Sequence, residues 1–164
     1  MSGLSEALAW IQASTLGAFM RQSGPWTYAI VNLAHILGVS TLFGSILVLD
    51  LRLLGVWRQV PLDVLSRATV PVSKAGFAAA LVTGVALLSS NATEYLGNPF
   101  FLIKFPAIAL GLVNVGVLSR TAAWRARGRR DLSRAEQRQL AAMGGVSLAS
   151  WLTAISAGRM IGYW

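Results

Sequence analysis

The chain has 164 residues, 55% hydrophobic and 12% charged, with a mean hydropathy of +0.60. Soluble domains carry about 25% charged residues, so this composition excludes an ordinary water-soluble enzyme and a disordered basic tail. The net charge is nevertheless +8, there is no Cys, and there is one His; disulfide scaffolds, thiolate metal sites and multi-His sites within one chain are excluded as well.

Residues 4–20 come first. Leu4, Leu8, Ile11 and Phe19 recur at roughly helical spacing, and Glu6, Gln12, Ser14 and Thr15 interrupt them. The segment reads as an amphipathic helix lying in the membrane interface. A fifth span is the weaker alternative, because the run is short for a crossing. No Lys or Arg precedes Arg21, which argues against a cleaved signal peptide.

Four later stretches reach the roughly 20 apolar residues that a crossing needs. They run over about 26–49, 70–90, 100–118 and 140–161. The expected fold is therefore all-α, an integral membrane four-helix bundle with an N-terminal interfacial helix, and residues 1–164 form a single membrane domain. Pro25 and Pro71 stand at the starts of the first two spans, and Asn98-Pro99 reads as the cap and first residue of the third. Pro106 falls inside the third span, where its ring displaces a backbone bond and predicts a kink. Gly128 suits the end of a third helix extended beyond the membrane. Ser133 and Glu136 have capping-box spacing, so the fourth helix should begin at Arg134.

Charge predicts orientation. Segment 120–139 holds seven of the fourteen basic residues, Arg120, Arg125, Arg127, Arg129, Arg130, Arg134 and Arg138, against Asp131 and Glu136. Arg52, Arg58 and Arg67 lie between spans one and two, whereas 91–99 has no Lys or Arg. The positive-inside rule then places both basic loops in the cytoplasm and both termini in the periplasm of a bacterial inner membrane. Trp26, Trp57, Trp124 and Trp164, with Tyr28, Tyr95 and Tyr163, fall near span ends, as interfacial aromatics do. The Arg-rich loop reads as topogenic charge at an anionic lipid surface, not as a nucleic-acid site.

Small residues mark packing seams. They are Gly76, Ala80 and Gly84 in span two, Ala107 and Gly111 in span three, and Gly145 and Ala149 in span four. The same stripes suit a homo-oligomer or a larger membrane complex.

Ionisable residues inside a span are functional candidates. His35 lies about nine residues into span one, roughly 14 Å from its outer end at 1.5 Å per residue. Tyr28, Asn32 and His35 share a helical face, and Lys104 and Arg159 lie near the outer ends of spans three and four. Together they form a candidate cofactor site, with His35 bound to a haem b iron, a copper ion or a quinone oxygen, and Lys104 and Arg159 paired with an anionic group. The bland alternative is a neutral His35 bonded within the bundle, with Lys104 and Arg159 snorkelling. Met20, Met143 and Met160 do not match the depth of His35 as second axial ligands, and one His is thin for copper. A quinone needs only one or two hydrogen bonds. At the inner end, Asp50 is expected to pair with Lys74 or a loop Arg as a structural clamp.

Three stretches carry a resemblance: Asn32-Leu-Ala-His35-Ile-Leu-Gly38 leading to Asp50-Leu-Arg52-Leu-Leu-Gly55, Asn98-Pro99-Phe-Phe-Leu-Ile-Lys104, and Gly158-Arg159-Met-Ile-Gly-Tyr163. They resemble an uncharacterised family of small four-span bacterial inner-membrane proteins. More distantly, a four-helix chain with a His early in its first span is similar to the copper-resistance D and protoporphyrinogen-oxidase J types. That second resemblance implies a haem-ligand role for His35. The functional expectation is a redox-linked membrane protein binding haem or quinone near His35. Its alternatives are a non-catalytic accessory or anchor subunit, and copper or small-solute transport by an oligomer.

Overall fold

A computed structural model describes residues 2–164. The protein is all-α, and no strand occurs among the described residues. The helices are α1 (Ser2–Ala13), α2 (Thr15–Gln22), α3 (Gly24–Leu53), α4 (Leu62–Ser90), α5 (Pro99–Arg120), α6 (Ala122–Ala126) and α7 (Arg134–Met160). Short 3-10 turns cover Ala92–Tyr95 and Ile161–Tyr163. Helices α3, α4, α5 and α7 are long and apolar enough to cross a membrane. Their outward faces are aliphatic: Ile30 is 64% exposed, Val82 70% and Val113 62%. Lipid is the solvent that such faces require, so this is a multi-pass membrane protein.

Several boundaries differ from expectation for local reasons. The N-terminal segment is two helices, because Ser14 turns extended and its hydroxyl accepts the Gly17 amide as the N-cap of α2. Helix α4 begins at Leu62, ahead of its apolar part, with an Asp63–Arg67 pair one turn apart in that polar start. Pro71 is therefore inside α4, and α5 runs unbroken through Pro106. Instead of extending the third span, Thr121 caps a separate short α6. The expected start of α7 is met: Ser133 and Glu136 form the reciprocal capping box.

The chain groups into two compact units, to each of which α3 and α4 contribute one part. The first takes the chain through Leu42 with Lys74–Asn98, and the second takes Phe43–Ser73 with Pro99–Trp164.

In the first unit α3 and α4 pack backbone to backbone. A Cβ on Gly38 would meet the Ala80 amide nitrogen at 2.8 Å, and one on Gly76 would meet that of Leu42 at 2.5 Å. The stripe Gly76–Ala80–Gly84 is thus the α3-facing seam. Helices α1 and α2 are tied to the end of α4 by Arg21. Its Nη1 donates to the carbonyls of Gln12 (2.9 Å), Ser90 (3.2 Å) and Ser89 (3.4 Å), which are terminal carbonyls that lack intrahelical donors. Leu8 and Met20 are buried, while Trp10 and Phe19 are exposed.

The second unit is built on α5 and α7. The Trp151 indole lies over Gly111, and Asn114 Nδ2 donates to the Met143 carbonyl at 2.9 Å. Its core joins Leu49, Leu53, Leu62, Leu118, Ala123, Trp124 and Leu140. The close approach of α7 to α3 is at Gly144, where a Cβ would stand 2.9 Å from that of Leu53. The expected Gly145 and Ala149 are rotated off this face: Gly145 is half-buried and Ala149 exposed.

Candidate functional site

The first unit carries the single imidazole. His35 is half-buried on α3, and its ring lies over Gly84 of α4, where a Cβ would come within 3.0 Å of Cε1. Nδ1 is 3.0 Å from Thr83 Oγ1. The Thr83 hydroxyl has one hydrogen, and it goes to the Ala79 carbonyl at 2.6 Å. With that hydrogen on Ala79, Thr83 Oγ1 is the acceptor and His35 Nδ1–H the donor of this contact. In the neutral ring this places the lone pair on Nε2. An outer partner on one ring nitrogen is the usual device that orients the other toward a ligand.

Tyr28 and Asn32 share the His35 side of α3, and both are exposed. Tyr28 lies close to Tyr95 in the turn after α4. Burial, with Tyr28 and Glu94 beside it, pushes the Tyr95 phenol above its ordinary value.

Lys104 and Arg159 belong to the second unit. The Lys104 stem and ammonium lie over Gly158, where a Cβ would be 3.5 Å from Cε and Nζ. Arg159 is exposed, stacks 4.7 Å above the Tyr163 ring and hydrogen-bonds its hydroxyl. The five expected cofactor residues are thus divided, with Tyr28, Asn32 and His35 in one unit and Lys104 and Arg159 in the other.

Asp50, 3% exposed, is in the second unit, while Lys74 is exposed in the first. The ion pairs among the described residues are Arg67–Asp63 and Arg130–Glu136. Within its own unit Asp50 has the buried Ser147 hydroxyl as a polar neighbour, and its Oδ2 is buried without a hydrogen-bond partner. No group of three or more His, Cys, Asp or Glu that could hold a metal occurs among the described residues. A metal on His35 would therefore take at most two protein ligands from that set among the described residues.

A family-level match, described as a family of unknown function, DUF6644, covers residues 7–164. The chain belongs to DUF6644. No curated protein and no solved structure matches it.

In this DUF6644 chain the side chains that sequence reasoning passed over are the partners. Thr83, Asn114 and Ser147 are polar residues in apolar spans; Thr83 and Asn114 each meet a neighbouring helix through a hydrogen bond, and Ser147 of α7 lies beside the Asp50 carboxyl of α3. Their signal was present: Thr83 directly precedes Gly84 of the small-residue stripe, and Ser147 lies three residues after Gly144. Arg127 is a further case. Its Nε donates to Ser66 Oγ at 3.0 Å, and its guanidinium stacks 3.7 Å above the Trp124 ring. Burial, only partly offset by Asp63, pulls its pKa below the ordinary arginine value.

Proposed function

We propose that this DUF6644 protein is a redox-linked protein of the bacterial inner membrane, with both termini in the periplasm and with His35 Nε2 contacting the redox group. The observation that supports this is the 3.0 Å contact of His35 Nδ1 with Thr83 Oγ1: with the threonine hydrogen on the Ala79 carbonyl, it favours the tautomer protonated on Nδ1. The Nε2 lone pair suits a haem b iron or the hydroxyl of a quinol. His35 would supply a ligand nitrogen or a hydrogen-bond acceptor to such a group, and Thr83 would orient the ring. No part of this rests on Lys104 or Arg159, which belong to the other unit. The test is the absorbance spectrum and extracted-quinone content of protein purified in a neutral detergent. A Soret band lost in His35→Ala assigns haem. A colourless protein whose bound quinone falls in His35→Ala assigns the quinol. A folded wild-type protein with neither overturns the proposal.

One observation favours a second reading, an accessory or anchor subunit. Asn32 is a polar side chain exposed on a helix long enough to span, and an amide facing lipid is unfavourable by about 1–3 kcal/mol or more. A neighbouring membrane protein over that face of α3 removes the penalty. In that case a defined partner co-purifies with the wild type and is lost from Asn32→Leu, in a preparation free of haem and quinone.

A further inference from the structure

The second unit contains a cavity of about 1030 Å³ that the redox proposal does not involve. It lies where the apolar helices give way to polar connections: the end of α3 with residues 54–61, the start of α4, and residues 127–132 with the first turns of α7. Its floor is apolar, formed by Leu53, Leu62 and Leu140 of the core. Seven arginines and two aspartates line it.

The arginines fall into two groups. Three are held in place by the protein. Arg52 donates to the Val60 carbonyl at 2.7 Å and the Arg58 carbonyl at 3.1 Å, which wraps the 54–61 connection around it. Arg127 is fixed by Ser66 and Trp124, and Arg130 grips Glu136 with two bonds of 2.9 and 2.6 Å. The other four, Arg58, Arg129, Arg134 and Arg138, are exposed and make no side-chain hydrogen bond or ion pair among the described residues. Of the two acids, Asp63 is already bonded to Arg67 at 3.0 Å.

Topogenic charge alone does not account for this arrangement. Orientation requires arginines in the loop, not arginines from three chain segments gathered around one hollow, where they repel each other. Arg134 is also the first residue of α7, at the positive end of the helix dipole, where a cation is unfavourable by about 0.3–1 kcal/mol. A bound anion offsets both penalties.

We propose that this cavity binds an anion with two phosphate groups. One guanidinium grips a phosphate through two parallel N–H bonds, so four uncommitted arginines can hold two phosphates with two guanidiniums on each. The volume is at the upper end of ordinary ligand sites, about 300–1,000 Å³, and well beyond one phosphate. Two sources share this chemistry. One is a two-phosphate lipid headgroup of the cardiolipin kind, whose apolar acyl side would lie toward the leucine floor. The other is a water-soluble diphosphate.

The experiment uses full-length protein with two charge-matched double variants. R134Q/R138Q removes two cavity arginines and keeps the Ser133–Glu136 capping box. R120Q/R125Q removes two arginines of the same basic stretch that do not line the cavity. One arm measures cardiolipin retained from nanodiscs of phosphatidylcholine plus cardiolipin, by native mass spectrometry. The other titrates sodium pyrophosphate by calorimetry in neutral detergent. The wild type and R120Q/R125Q should bind alike, and R134Q/R138Q should bind more weakly, by on the order of tenfold per guanidinium lost. Selective cardiolipin retention without pyrophosphate binding assigns the lipid, and the converse assigns the soluble ligand. If the wild type binds neither, or if both variants weaken equally, the proposal is overturned. Should R134Q/R138Q fail to match wild-type helicity and elution, R58Q/R129Q supplies the same readout from the opposite side.

Discussion

Thr83 Oγ1 stands 3.0 Å from His35 Nδ1 while giving its own hydrogen to the Ala79 carbonyl. This contact favours Nε2 as the imidazole nitrogen that holds the lone pair. Thr83→Val keeps the side-chain shape and removes the acceptor. The stability loss should be small, about 0.6 kcal/mol, typical of hydrogen bonds between membrane helices. The tautomer should change far more. Long-range nitrogen–proton NMR of labelled His35 should show protonated Nδ1 in the wild type and a tautomer mixture in Thr83→Val. A wild-type ring protonated on Nε2 alone would refute the assignment.

Arg21 joins three segments of the first unit through one guanidinium nitrogen. Its charge lies at the carbonyl end of α4, where a cation is favoured by up to about 2 kcal/mol in partly buried geometry. Arg21→Gln should lower stability by about 1–2 kcal/mol on that basis. Gly17 makes the same joint sterically necessary, since a Cβ there would stand 2.6 Å from the Ser89 carbonyl oxygen. Gly17→Ala should cost about 1–3 kcal/mol by overpacking against backbone that cannot yield. Thermal midpoints in detergent check both, and proteolysis before Gly24 should become faster in each variant. Wild-type midpoints in both would show that the N-terminal helices are not docked through this joint.

How much of this was legible depended on whether the signal was local. The four spans follow from length and apolarity, and the start of α7 from four residues, Ser133 to Glu136. The Ser14 break was visible only as a polar interruption of an apolar face, because N-cap chemistry and an interrupted stripe look alike in sequence. Helix rotation was not legible. A span apolar on all sides has no polar stripe to say which way it faces, so Gly145 was expected where Gly144 packs, and Ser147, beside Asp50, went unnoticed. The arginine-lined cavity was hidden for a related reason. Its halves, near Arg58 and near Arg134, are far apart in sequence and read separately as loop charge.

Tyr95 gives a pH prediction. Its folded-state pKa is raised above the ordinary 10.0 by burial first, then by Tyr28 and Glu94. The folded state therefore holds this proton more tightly than the unfolded chain does. Its contribution is fully present below pH 10 and is lost as pH rises through the higher folded value. Stability should decline in that alkaline window, and Tyr95→Phe should flatten the decline. A tyrosinate absorbance titration, taken as the difference between wild type and Tyr95→Phe, should place this ionisation above 10 in folded protein. Ionisation at or below 10 would contradict the burial argument.

Asp50 and Ser147 offer the clearest energetic test in the second unit. Both are nearly inaccessible, at 3% and 4% exposure, and Asp50 Oδ2 has no hydrogen-bond partner. The Ser147 hydroxyl is the neighbouring polar group placed to compensate this buried carboxyl group. Ser147→Ala should destabilise by about 1–3 kcal/mol, the desolvation penalty of an acceptor left without its donor. In an Asp50→Leu background, which removes that acceptor, the same serine substitution should have little effect. The difference is the coupling, and a double-mutant cycle on unfolding free energies should find it at about 1 kcal/mol or more. Additive effects would mean that Ser147 does not sustain the carboxyl group. Adding Lys74→Gln to the cycle then reads the charge clamp directly: coupling to Lys74 appears only if that ammonium also serves Asp50.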